Sequence, residues 1–327
     1  MSIKRFSYFF VAFLFALLVP ASALAEKPGN GVVIFGDSLS DTGNKYFVTG
    51  FANTPPYSAL LETLLVSDGP YTRGGLNHSN GATWIEQYAR PRGLSGFVGP
   101  ALRNEGKASN YAYGGARARP DLVIIPNENQ HLATQVDNFL ADVNLAAPAD
   151  KLYVIFVGGN DIFDAVFALV EDPTGTVSNT VIHKAYSSVI NQVERLALHG
   201  AQHFVVVNAP DIGMTPAARL ADEAFSPVPG ALIAAASGYS QMYNYQLYIH
   251  LAPVAGVSVL DFYSAFQHVI ANPAEYGLTN TIDACVMPEI PPYVCSSPDE
   301  YLFWDGIHPT RAAHGILAAF FADALAQ

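Results

Sequence analysis

A serine, a histidine and an aspartate of this chain could act as a nucleophile, its base and the group that orients the base. Ser38 comes shortly after residues 32–35, four apolar residues with the composition of a strand buried on both faces. Open α/β sheets bind their ligands at the carboxyl ends of the strands, so this position suits a nucleophile. A serine hydroxyl also needs a base within hydrogen-bond reach, because the neutral group is a poor nucleophile.

His308 is the best candidate base among the nine histidines of the chain. Asp305 stands three residues before it, where a turn can let the carboxylate orient the imidazole and stabilise its protonated form. His314 is the rival, but helical spacing places it in a C-terminal helix, where packing or surface roles are commoner. The chain has no Gly-x-Ser-x-Gly pentapeptide, which argues against the ordinary α/β-hydrolase fold despite the same Ser, Asp, His order.

Two further short motifs each follow a strand-like run. Residues 108–116 alternate in polarity and end in the pair Gly114 and Gly115, which predicts a second strand and a tight turn. Residues 152–157 form the most strand-like run in the chain, and Gly-Gly-Asn-Asp follows directly, with the asparagine at position 160. Taken singly, paired glycines are usually turn chemistry and an asparagine is often a helix cap. The order of the motifs along the chain therefore carries more information than either one.

Together these motifs resemble the sequence blocks of the GDSL family of esterases and lipases, also called SGNH hydrolases. The first block is Gly-Asp-Ser-Leu at residues 36–39, the third is Gly-Gly-Asn-Asp at residues 158–161, and the last is Asp-x-x-His-Pro-Thr at residues 305–310. Four motifs occur in the family's order between about residue 32 and residue 310. The resemblance implies a catalytic triad of Ser38, Asp305 and His308.

The same resemblance implies an oxyanion hole with three hydrogen-bond donors. Two would be the backbone N–H groups of Ser38 and Gly115, and the third the side chain of Asn160. The family's glycine lies five residues after an asparagine, and counting from Asn110 selects Gly115, with Gly114 as the neighbouring alternative. We expect no cofactor and no metal, because no His-Glu-x-x-His or comparable ligand cluster is present.

The elements that must position these residues alternate between strand and helix. Helical spacing predicts helices from Trp84, over 131–143, 181–198 and 229–251, and from Arg311 to 325, with further strands at 203–207 and 257–262. Such alternation favours right-handed crossovers and a parallel sheet covered on both faces. We therefore predict an α/β fold, a three-layer αβα sandwich with a flavodoxin-like parallel sheet, as in the SGNH hydrolases.

The N-terminus predicts export. Lys4 and Arg5 precede an apolar run, and Ala-Leu-Ala at residues 23–25 is typical of a signal-peptidase site. We expect residues 1–25 to be a cleaved signal peptide, residues 26–327 to form one hydrolase domain, and the mature protein to be secreted or periplasmic. No stable membrane span is expected after cleavage, since the apolar run is short for a span of about 20 residues. The sequence does not predict an oligomeric state.

Charge and cysteine usage fit that compartment. The whole chain carries a formal net charge of −12, and loss of the two signal-peptide cations would make the mature protein more acidic still. Nucleic acid is therefore not an expected partner, because phosphate binding needs Lys and Arg. The only cysteines, Cys285 and Cys295, are predicted to form a disulfide in an oxidising compartment.

The expected function is hydrolysis of carboxylic esters, with acyl or lipid esters, including lysophospholipids, as substrates. Residues 45–82 form a long excursion whose aromatic members, together with the apolar cysteine loop, weakly favour acyl chains over sugar acetates; they are Phe47, Phe51, Tyr57 and Tyr71. Acyl transfer to an alcohol and a short-chain or carbohydrate O-acetyl esterase activity remain open as alternatives. An inactive secreted binding module is the non-enzymatic alternative, which an intact set of catalytic residues disfavours.

Overall fold

The computed structural model describes residues 30–49, 59–61, 66–67, 76–104, 106, 108–120, 130–287 and 291–326. The predicted signal peptide and the aromatic residues Phe51, Tyr57 and Tyr71 lie outside these residues. The strands are β1 Val32–Gly36, β2 Ala59–Leu61, β3 Val66–Ser67, β4 Leu152–Phe156, β5 His203–Val207, β6 Val257–Leu260, β7 Asn280–Ala284 and β8 Tyr301–Phe303. The helices are α1 Asn44–Thr49, α2 Trp84–Ala89, α3 Leu132–Asp142, α4 Gly159–Glu171, α5 Thr176–Leu198, α6 Pro216–Phe225, α7 Ala231–Leu251, α8 Phe262–Ala271 and α9 Arg311–Ala324.

The main sheet is parallel and has the strand order β1-β4-β5-β6. An extended segment lies along the free edge of β1, where Ile34 N–H donates to Ser109 O and Tyr113 N–H to Gly36 O. This segment precedes β4 in sequence, so the five rows follow the order 2-1-3-4-5 of flavodoxin-like sheets. The predicted three-layer α/β fold is thereby confirmed.

Alternating side chains of β1 show why helices must cover both faces. Val33 and Phe35 pack in a core with α3, α4, α5 and α7, whereas Val32 and Ile34 pack with α2, α8 and α9. All four are almost completely buried, as expected for a strand of a sheet covered on both sides. Both helical layers therefore brace the strand that ends beside Ser38.

Some boundaries differ from those predicted. The second predicted strand is reduced to isolated bridges of Asn110 with Ile34 and with Pro100, and the chain then turns so that Gly114 N–H reaches Asp41. The strand predicted over 257–262 ends at Leu260, since the Asp261 side chain caps α8. Four helices, α1, α4, α6 and α8, were not predicted. The short strands β2, β3, β7 and β8, in regions that lack periodicity, were not predicted either.

The described residues contain no helix with both the length and the apolar character needed to cross a bilayer.

Candidate active site

Ser38, His308 and Asp305 form one hydrogen-bonded chain. The Oγ atom of Ser38 lies 2.7 Å from Nε2 of His308, and Nδ1 of His308 lies 2.7 Å from Oδ2 of Asp305. Asp305 is fully buried, while Ser38 and His308 are 6% and 5% exposed. A neutral imidazole with its proton on Nδ1 can donate to the carboxylate and accept from the serine hydroxyl. The arrangement can thus activate the hydroxyl as a nucleophile.

The turn that carries Asp305 and His308 is closed by its own hydrogen bonds. Oδ1 of Asp305 accepts the backbone N–H groups of Ile307 and His308 at 2.8 and 2.7 Å. Trp304 N–H donates to His308 O at 2.7 Å, which ties the two ends of the turn together. One carboxylate therefore both shapes the turn and orients the imidazole.

Ser38 projects from the turn that follows β1. A Cβ atom on Gly36 would lie 2.5 Å from Phe156 O, so only glycine allows β1 to end beside β4 in this way. Asp37 accepts Leu39 N–H through its side chain at 3.0 Å, and its carbonyl accepts the N–H of Ser40. Burial raises the pKa of the Asp37 carboxyl to about 7. Asp37 thus shapes the serine turn without entering the hydrogen-bonded chain of the triad.

Asp41 links the serine turn to the paired glycines, a role that sequence reasoning missed. Its buried carboxylate accepts backbone N–H groups from three consecutive residues at the start of α1, and from Gly114 at 2.9 Å. Burial raises the pKa of this carboxyl, and the accepted hydrogen bonds counteract that rise. The Gly114 N–H is therefore already bound, which favours Gly115 over its neighbour as an oxyanion donor.

The two other predicted oxyanion residues lie side by side. Gly115 has a φ of +83°, in the left-handed region, and its N–H donates to no atom of the described residues. Asn160 lies in the first turn of α4 and its Nδ2 donates to Ala116 O at 2.9 Å. That bond uses one amide hydrogen and leaves the second for another acceptor. Their roles toward an oxyanion remain predictions.

A second histidine, His78, packs beside the triad. Its ring centroid is 5.1 Å from that of His308, and its Cε1 atom would lie 2.4 Å from a Cβ placed on Gly114. Burial, then the neighbouring His308 and Lys45, lower the pKa of His78 well below its usual value. His78 is therefore neutral at physiological pH and fills the space between the base and the glycines. No sequence pattern distinguished it from the other histidines.

His314, the rival base, is fully buried in α9 and makes no hydrogen bond with Ser38 or Asp305. Burial, followed by the nearby His308, lowers its pKa to about 3. Its ring nitrogens have no hydrogen-bond partner among the described residues. The helical placement predicted from the sequence is confirmed, and His308 rather than His314 lies within hydrogen-bond distance of Ser38.

The predicted disulfide between Cys285 and Cys295 is present. Cys285 packs with Val286 and Trp304, and Cys285 N–H donates to Phe303 O. The cross-linked loop therefore lies directly against the strand that leads into Asp305.

Comparison with known proteins gives the same picture over most of the chain. Residues 32–321 match the model of the family described as GDSL-like Lipase/Acylhydrolase. A phosphatidylcholine-sterol acyltransferase of Aeromonas hydrophila is 26% identical over an alignment covering 84% of this chain and 71% of that protein. A GDSL esterase/lipase of Arabidopsis thaliana is 28% identical over 88% of this chain and 86% of its own length. Acetylajmalan esterase 2 of Rauvolfia serpentina is 27% identical over 92% of this chain and 91% of its own length.

Proposed function

Because the chain belongs to the GDSL-like lipase/acylhydrolase family, we propose that it is a secreted serine hydrolase that cleaves carboxylic esters through an acyl-enzyme on Ser38. Family membership by itself supports ester hydrolysis or acyl transfer as the class of reaction. The observation that carries the finer proposal is the 2.7 Å approach of the Ser38 hydroxyl to His308, with Asp305 behind the imidazole at 2.7 Å.

In the first half of the reaction, Ser38 Oγ attacks the ester carbonyl carbon as His308 Nε2 takes the hydroxyl proton. The former carbonyl oxygen becomes negatively charged, and the N–H groups of Ser38 and Gly115 and the Asn160 amide donate to it. When the tetrahedral intermediate collapses, the bond to the alcohol oxygen breaks and His308 gives that oxygen its proton. Asp305 stabilises the imidazolium between the two transfers.

In the second half of the reaction, a water molecule attacks the acyl-enzyme and His308 takes a proton from this water. Collapse releases the carboxylic acid and returns the proton to Ser38. An alcohol in place of the water would give acyl transfer instead. The acyltransferase of Aeromonas hydrophila among the relatives is the observation that favours this second candidate function.

For the substrate we propose acyl esters of lipids, lysophospholipids among them, handled outside the cytoplasm after removal of residues 1–25. The names of several relatives support lipid or acyl esters, and that of the Rauvolfia serpentina esterase supports a short acyl group as the alternative. The disulfide supports an oxidising compartment. Mass analysis of protein exported by a host cell should give a chain that begins at Glu26.

The decisive experiment compares wild type with Ser38→Ala on p-nitrophenyl acetate, butyrate, octanoate and palmitate, and on lysophosphatidylcholine. Wild type should turn over at least one ester, and Ser38→Ala should lose turnover by roughly a million-fold while keeping its circular dichroism spectrum. Added glycerol or a sterol as acyl acceptor separates transfer from hydrolysis by its ester product.

Each outcome of the series has a definite meaning. Rates that peak at long chains or at the lysolipid support lipid substrates, whereas a peak at acetate with a steep fall supports a short-chain or carbohydrate esterase. Turnover retained by Ser38→Ala would refute the acyl-enzyme proposal altogether. Absence of any Ser38-dependent turnover would support the inactive binding module.

A further inference from the structure

The turn at residues 114–116, here named the glycine turn, is held at three successive residues by three different groups. Gly114 N–H donates to Asp41 at 2.9 Å. Gly115 O accepts from Nη1 of Arg117 at 2.8 Å, and Ala116 O accepts from the Asn160 amide at 2.9 Å. A glycine at positive φ has the widest conformational freedom of any residue, so an unrestrained turn would not fix the direction of the Gly115 N–H.

Arg117 is itself fixed by α4. Its Nε and Nη2 atoms donate to Oδ2 and Oδ1 of Asp164 at 2.9 and 2.8 Å, a bidentate pair that leaves Nη1 directed at Gly115 O. Asp164 stands four residues after Asn160 on the same helix. The carriers of two proposed oxyanion donors, Gly115 and Asn160, are thereby joined into one unit.

A second arginine, Arg119, stabilises the same unit through α4. Arg119 donates to Asp161 at 2.8 Å and to Asp164 at 2.7 Å, and the Asp161 carboxylate also accepts Ala118 N–H at 2.8 Å. Arg119 and Asp161 are buried, so their paired charges cannot relax into water. Asp164 is consequently held by two guanidinium groups and has little freedom to move.

We propose that Arg117 and Asp164 are positioning residues of the acyl-transfer reaction, which lock the glycine turn onto α4 and so hold the Gly115 and Asn160 donors at the oxyanion. The inference rests on the proposed function of Ser38, Gly115 and Asn160. Neither side chain touches the substrate. They act by removing the reorganisation that loosely held donors would need as the charge develops.

Arg117→Met is the informative variant, because the side chains of Arg117 and Asp164 are 19% and 18% exposed. Water can therefore hydrogen-bond to the Asp164 carboxylate when the guanidinium is removed. Changing Arg119 would instead leave the buried Asp161 unpaired and threaten folding. Arg195→Met is the matched control, since Arg195 also pairs with an aspartate, Asp137, on helices that hold no proposed site residue.

Steady-state kinetics on the best neutral p-nitrophenyl ester should show kcat of Arg117→Met lowered roughly 10- to 100-fold, with KM within about twofold of wild type. Affinity for an alkyl boronic acid, whose tetrahedral anionic adduct on Ser38 mimics the intermediate, should fall by a similar factor. Arg117→Lys should recover part of the loss, because an ammonium cannot reproduce the guanidinium fork. Arg195→Met should retain wild-type kcat and boronic acid affinity.

An unchanged kcat in Arg117→Met, a loss carried by KM, or an unchanged boronic acid affinity would overturn the positioning role. If Arg117→Met does not fold, Asp164→Asn tests the same pair with a smaller perturbation, and a fall of about tenfold in kcat is expected there. Ser38→Ala separates the two proposals. Turnover without Ser38 refutes the proposed function, whereas Ser38-dependent turnover that ignores Arg117 refutes only the positioning role.

Discussion

At the scale of single residues, the site depends on carboxylates that do no proton transfer. Asp41 accepts four backbone N–H groups and thereby connects the start of α1 with Gly114. Asp305 likewise accepts two backbone N–H groups besides facing the imidazole. Buried carboxylates with several fixed donors hold backbone segments in one geometry, which is what a preorganised site needs.

His314 is a buried polar residue that destabilises the folded state, in contrast to the hydrogen-bonded carboxylates of Asp41 and Asp305. Because its ring nitrogens lack partners within the described part of the chain, His314→Leu should raise the free energy of unfolding at pH 7 by about 1 to 3 kcal/mol. The folded state does not protonate His314 until about pH 3, whereas the unfolded chain does so near pH 6.5. Wild type should therefore lose stability as pH falls through that window, by roughly 3 to 5 kcal/mol in full from this residue.

Urea unfolding of wild type and His314→Leu at pH 7, 6, 5 and 4 measures both effects. The difference in unfolding free energy between the two proteins should widen toward low pH. The same change at the exposed His250 serves as a control and should leave the pH dependence as in wild type. A constant difference across the range would contradict the assignment of a buried neutral imidazole.

Sequence reasoning located residues of short motifs that the fold brings together. Ser38, Asp305 and His308 are brought within hydrogen-bond distance as predicted, and Asn160 lies beside the glycine turn. It could not find Asp41, His78 or Arg117, because the partners that decide their roles, Gly114, His308 and Asp164, lie far away in the chain. Their roles depend on distances across the fold that residue types alone do not encode.

At the scale of elements, the start of α9 holds the base in place. Thr310 caps the helix by accepting Ala313 N–H at 3.2 Å, and its hydroxyl donates to Tyr301 O at 2.7 Å. From the other side, Ser79 donates to Pro309 O at 2.9 Å and Asn80 accepts Arg311 N–H at 2.6 Å. The helix terminus next to His308 is thus fixed to both β8 and the segment before α2.

Thr310→Ala should cost about 1 to 2 kcal/mol of stability through loss of the cap and of the bond to Tyr301. Because His308 is two residues away, kcat should also fall, by roughly tenfold, as the imidazole loses its fixed position. Thr310→Ser keeps the hydroxyl and should approach wild type. Thermal unfolding and ester kinetics on the same preparations measure the two effects.

Asp261→Ala is the control for that experiment, since it removes the cap of α8, a helix that carries no proposed site residue. It should lower stability comparably and leave kcat near that of wild type. Equal kcat losses in the two cap variants would mean that kcat reports general stability rather than the position of His308.

The secondary-structure predictions were incomplete where tertiary contacts, rather than the local sequence pattern, determine an element. Periodicity found the helices that became α3, α5, α7 and α9, because one face of each is buried in a repeating way. Continuous apolar runs found the strands β1, β4 and β5, which are buried on both faces. Periodicity missed α8, whose start is decided by the Asp261 cap. It also missed β7, whose side chains are exposed or half-buried, and β8, which has only three residues and so shows little alternation.

At the scale of the whole molecule, the chain encloses its parallel sheet between two cores and adds a cross-linked C-terminal loop at one end. The disulfide lies in a small cluster of its own, apart from both main cores. It contacts β8 and the residue after it: Phe303 O accepts Cys285 N–H, and Trp304 O accepts Val286 N–H at 2.8 Å. The bond therefore stabilises a peripheral loop that contacts the residues leading into Asp305.

Loss of the bond should consequently lower stability more than it lowers activity. In the chain-entropy description, closing so short a loop contributes about 2 to 3 kcal/mol. The double variant Cys285→Ser with Cys295→Ser, or wild type treated with dithiothreitol, should lose about that much unfolding free energy. At 25 °C kcat should change by less than about twofold, since the Asp305 turn is closed by its own hydrogen bonds.

Guanidinium unfolding and ester kinetics on four samples test this separation: wild type and the double variant, each with and without dithiothreitol. The reductant should act on wild type alone, since the variant has no bond to lose. A fall in kcat as large as the fall in stability would show that the loop holds the triad directly. Unchanged stability would show that the cluster around Trp304 keeps the loop closed without the bond. The expected result, lower stability with intact kcat, assigns the disulfide to the stability of the fold rather than to catalysis.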